Sequence, residues 1–134
     1  MILSTHAIVG GAAASLRPAH PAAAFVVGIA SHFAIDAIPH VDYPLHSITV
    51  RRSASSALTL NWLLVKDFGL LTVDACIGLA IVFWLYGATP AVVAGALGAM
   101  LPDPMQLVSK LYPREPLRSL QRFHVWIHAK RKPN

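Results

Sequence analysis

Charge is scarce in this sequence. Acidic and basic residues fill only 13% of its 134 positions while hydrophobic ones fill 55%, against roughly 25% and about 45–50% in soluble domains. An ordinary soluble enzyme is a poor fit to that balance, and a membrane protein is a good one. Cysteine is nearly absent: Cys76 stands alone, which excludes an intramolecular disulfide and any multi-cysteine zinc site. Its setting, "VDACIGLA", predicts a small core residue. No glycine-rich phosphate loop and no Gly-x-Ser-x-Gly elbow occurs, so nucleotide-binding and serine-hydrolase readings have little support. The length suits one domain and is too short for two comfortable ones.

What charge there is lies unevenly. Of the net charge of +5, most comes from Lys110, Arg114, Arg118, Arg122, Lys130, Arg131 and Lys132 near the C-terminus. Such a tail belongs beside a cytoplasmic membrane surface, with nucleic acid a weaker alternative. Four apolar segments precede it, at residues 2–16, 21–38, about 64–86 and 89–108. A crossing needs about 20 apolar residues, so the last three are long enough and the first is short. The first segment has no basic residue ahead of its apolar run and is read as a retained helix rather than a signal peptide. The expected fold is therefore all-α, an integral membrane bundle of about four helices over residues 1–112. Residues 113–134 form a basic cytoplasmic tail able to make an interfacial helix. Arg51, Arg52, Lys66 and the tail share one face, against Arg17 alone on the other, which puts both termini on the cytoplasmic side of the cell's inner membrane. Membrane lipids are the expected surroundings, no nucleic-acid partner is expected, and an oligomer stays open.

The polar residues inside these segments are not scattered. In "SHFAIDAIPHVDY", His32, Asp36 and His40 recur every four residues, one column on a helix, with Pro39 ending or kinking it. His6 starts the first segment, Asp67 and Asp74 lie on one face of the third, and Asp103 ends the fourth in "GAMLPDPMQ". "FHVWIH" then places His124 and His128 on one helical face. All are expected near the cytoplasmic level, and ionisable groups at that depth normally face a bundle interior and pair or bind something. A divalent metal is the economical partner, because carboxylates and neutral imidazoles suit zinc, manganese or iron. Zinc and manganese are the leading choices. Blander readings stand beside this one: a His32–Asp36 hydrogen bond, an Asp74–Lys66 pair, Asp103 as a helix cap, and His124 and His128 as headgroup contacts.

"THAIVGG", "SHFAIDAIPH" and "GAMLPD" resemble motifs of the predicted membrane-bound, metal-dependent hydrolases. These are small integral membrane proteins with an early Thr-His, a Ser-His-x-x-x-Asp pair and a Leu-Pro-Asp at a helix end. The resemblance implies His6, His32, Asp36 and Asp103 as metal ligands. It also has gaps, since "LPDPMQ" carries Met and Gln where the family pattern continues with another aspartate, and a His-Arg-Gly-x-Thr-His-Ser element is missing. "FHVWIH" is the candidate substitute for the missing histidines.

The chemistry that follows is hydrolysis of an amphiphilic, phosphorylated lipid-like substrate at the membrane boundary. Metal ligands are expected among His6, His32, Asp36, His40, Asp74, Asp103, His124 and His128. Asp42 or Asp67 would accept the proton of the attacking water, and Arg51 and Arg52 would hold the substrate phosphate. A metal or proton transporter would also place His and Asp inside a bundle. Its polar path should continue to the far side, where "AAAFVVGIA" and "ACIGLAIVFWLYG" are almost bare. A non-catalytic membrane scaffold would explain the basic tail but not the histidines.

Overall fold

The computed structural model describes residues 2–16, 20–40 and 62–128, and the chain is all-α over them. Its helices are α1 (Leu3–Ser15), α2 (Pro21–Asp36), α3 (Trp62–Tyr86), α4 (Pro90–Met100), α5 (Pro102–Leu111) and α6 (Leu117–Ile127). Proline and glycine set most of the boundaries. Pro21 and Pro90 occupy first helical turns, where a missing N–H costs nothing. Thr89 caps α4 by accepting from the Val92 N–H at 3.3 Å. At the end of α3, Gly87 adopts a φ of 74° and its N–H bonds to the Phe83 carbonyl at 2.9 Å, a left-handed stop that favours glycine.

The fourth apolar segment, expected as one helix, is divided into α4 and α5. Pro102 and Pro104 have no N–H to return to the carbonyls one turn earlier, so the ladder is interrupted at Leu101. Together the two pieces still form an apolar run of 20 residues from Pro90 to Ser109, long enough to cross a membrane. The other helix of that length and composition is α3, from Val65 to Tyr86, and only 11% of its apolar stretch is buried against the rest of the chain. The core helix of a soluble protein would be mostly covered. Here Phe68, Val73, Ile77 and Trp84 are exposed among the described residues, and the helix is long and apolar enough to cross a membrane. Cys76, expected as a small core residue, is instead exposed on this helix. α2 is apolar but shorter, at 16 residues.

α4 is the axis of packing, lying against both α1 and α2, while α1 also touches α2 and α3. Small residues make this possible. Ala91, Gly95 and Ala99 recur every fourth position, and a methyl placed on Gly95 would run into Ala14 and the Gly10 carbonyl, while one on Gly28 would run into the Gly95 carbonyl. Backbones in such contact are a recurrent device of helix packing in lipid. Overpacking of this kind costs about 1–3 kcal/mol, so the stripe fixes how α1 and α2 are rotated against α4. That rotation aims their polar residues at each other.

Candidate metal centre

At one end of the bundle, His32 and Asp36 from α2, Asp103 from the first turn of α5 and His124 from α6 bring ligand atoms within 4.8 Å of one another. His32, Asp36 and His124 are buried, and Asp103 is partly so. Asp36 is the hub: its Oδ2 lies 3.1 Å from His32 Nε2 and 3.0 Å from His124 Nε2. The two imidazole nitrogens are 3.5 Å apart. Asp103 Oδ1 stands 3.8 Å from His32 Nε2 and 4.0 Å from His124 Nε2. A tetrahedral ion with bonds of about 2.0–2.1 Å has ligand-to-ligand edges of about 3.3–3.4 Å. These separations scatter around that edge, so the group could hold a metal ion.

Hydrogen bonding favours a cation as well. His32 Nδ1 lies 2.7 Å from the Ala99 carbonyl oxygen; a carbonyl only accepts, so Nδ1 carries the proton and donates. In the neutral ring Nε2 is then a lone pair facing a carboxylate oxygen, two acceptors that need a cation between them. An imidazolium is the alternative, and then the second proton is that cation. Such a backbone contact orients metal-bound histidines, and it depends on the close α2–α4 packing.

Gln106 was missed by sequence reasoning. It lies three residues after Asp103, on the same helical face; its side-chain amide is 3.2 Å from Asp103 Oδ1 and 3.2 Å from His124 Nε2. The Met-Gln departure in "LPDPMQ" was the available signal. A second link joins the same helices, with Ser109 Oγ donating to Gln121 Oε1 at 3.3 Å. α6 is anchored at its start by Glu115, whose Oε2 accepts from the Ser119 hydroxyl at 2.6 Å and the Ser119 N–H at 3.2 Å. The hydroxyl bond is the larger influence holding that carboxyl below its ordinary range.

The remaining sequence candidates divide. His6 is fully buried on α1, its ring stacked on His32 with centroids 4.0 Å apart. His40 and His128 form a further group with Asp36. Asp67 is buried on α3 but belongs to neither group. Asp42, Arg51 and Arg52 lie outside the described residues. Asp103 does not cap α5, which has no side-chain cap bond.

Asp74 also stands outside both groups, and the structure gives it other work. Its Oδ2 accepts from the Ser4 backbone N–H at 2.8 Å, satisfying one of the free donors in the first turn of α1. Gly78, one turn further along α3, allows the approach, since a methyl there would strike the Ser4 backbone. Asp74→Ala is therefore expected to lower stability by about 1 kcal/mol, as lost caps do, while bound metal stays at the wild-type level. Thermal unfolding and elemental analysis of the same preparation check this; a metal-free but equally stable variant would return Asp74 to the site.

Set against protein-family models, curated proteins and solved structures, the chain matches none of them.

Proposed function

We propose that this chain is an integral membrane, metal-dependent hydrolase acting on an amphiphilic, phosphorylated lipid at the cytoplasmic boundary of the inner membrane. The observation that carries the reading is the convergence of His32, Asp36, Asp103 and His124 from three helices at one end of an otherwise apolar bundle. Two nitrogens and two carboxylates are a donor set for zinc or manganese. These four residues would hold a divalent ion, which would supply an activated water and a Lewis acid for a phosphoryl oxygen.

The protein's own part is to hold the donors still. Ala99 fixes the His32 ring, and Gln106 sits between Asp103 and His124. α6 brings His124 to the site, and its outer face exposes Phe123, Val125 and Trp126 beside Arg118 and Arg122. A helix with that mixture lies in the headgroup region, where a lipid phosphate would reach the site. Arg51 and Arg52 remain the sequence's candidates for binding that phosphate, and Asp42 for accepting a proton.

The test is reconstitution into vesicles with a panel of phospholipids and polyprenyl phosphates, each with zinc or manganese and again with chelator. Metal-dependent release of phosphate or headgroup is expected, with no metal or proton flux. Robust flux without cleavage of any lipid phosphate would replace the hydrolase with a transporter.

A further inference from the structure

Asp36 does more than complete one ligand set. While its Oδ2 faces His32 and His124, its Oδ1 faces the other way, 3.3 Å from His6 Nε2 and 3.7 Å from His40 Nε2. Asp103 is divided in the same sense. Its Oδ1 is the oxygen near His32 and His124, and its Oδ2 lies 3.8 Å from His6 Nε2. Both carboxylates thus turn one oxygen to the first histidine pair and the other toward His6.

His6 supplies an independent sign. It is fully buried, yet among the described residues neither ring nitrogen meets a partner in hydrogen-bond geometry; Asp36 Oδ1, 3.3 Å away, makes an ion-pair contact with it. A buried polar atom left unsatisfied costs about 1–3 kcal/mol, and native structures seldom keep one without a reason. His40 is prepared as a ligand in the manner of His32. Its Nδ1 lies 2.6 Å from the Ile38 carbonyl, so Nδ1 donates and, in the neutral ring, Nε2 presents a lone pair toward Asp36. His128 packs on His40 with ring centroids 4.6 Å apart, and the two share with Asp36 a group within 4.8 Å.

We infer that the centre holds two divalent ions, the second bound by His40 and His128, with Asp36 bridging it to the first. His6 faces the same Asp36 oxygen and borders this second position. The inference rests on the metal-dependent reading above and deepens it. Paired ions about 3.5–4 Å apart serve in-line displacement at phosphorus, which favours a phosphoester over an acyl substrate.

Full-length protein in detergent, loaded with Mn2+ and freed of excess, tests the count by elemental analysis and the pairing by electron paramagnetic resonance. Two ions per chain with an exchange-coupled spectrum are expected. His40→Ala, at the rim of the site, should fall to one ion and give the signal of isolated Mn2+; His20→Ala should keep two. One uncoupled ion in the wild type, unchanged by His40→Ala, overturns the second site and leaves the single-ion reading standing. Two ions retained in His40→Ala overturn the ligand assignment. A wild type that binds no Mn2+ or Zn2+ overturns both.

Discussion

Replacing Asp36 by Ala is expected to abolish retained divalent metal, with affinity reduced by more than about 100-fold. Changes to groups that only orient ligands cost about 10–100-fold, and Asp36 touches three buried histidines directly. A metal-free explanation also makes Asp36 important. If His32 or His124 is an imidazolium, the cluster is a buried ion pair, and removing one partner of such a pair costs about 3–5 kcal/mol. Loss of stability in the variant therefore decides nothing. The deciding measurement is the wild type's thermal unfolding with and without ion. Whatever binds the native state alone stabilises it, by about 2.7 kcal/mol at a hundredfold excess over Kd. Chelator should lower the wild-type Tm and zinc or manganese restore it, while Asp36→Ala should respond to neither. A wild-type Tm indifferent to chelator and ion would make the cluster a structural ion pair.

The site was legible where chemistry and helical period coincide. His32 and Asp36, four residues apart in a run otherwise nearly free of charge, could not both be buried without compensation, and each now touches the other. Depth along a helix was legible too, which is why His6 and Asp103 meet them. What depth does not give is the direction a residue faces around the helix. Asp74 had a depth within reach of the site, but the contact of Gly78 with Ser4 rotates that face of α3 toward the start of α1, and Asp74 becomes a cap. Among the described residues α3 adds no ligand to either group, although every segment was expected to contribute. The division of the fourth segment follows from local chemistry, because Pro-x-Pro breaks the hydrogen-bond ladder whatever the hydropathy around it.

Residues 113–134 were read by charge as a basic tail able to form an interfacial helix, and α6 lies within them. Charge describes only the outer face of α6. Leu117, Leu120, Gln121, His124, Ile127 and His128 are its half-buried or buried positions, spaced by three and four as a packed helical face requires. Through that face α6 lies on α5 and touches α2, delivering a buried His124 to Asp36. A chain ending after residue 112 should therefore lose metal as severely as His124→Ala, a second loss expected to exceed about 100-fold, because its other ligands remain without the fourth. It should still fold, since α6 takes no part in the contacts of α1, α3 and α4 that form the core. Circular dichroism should show helix lost in proportion to α6 alone, and elemental analysis should show the truncated chain and His124→Ala equally depleted. A truncated chain that keeps wild-type metal would mean that α6 only rests on the membrane surface, and that three ligands or fewer suffice.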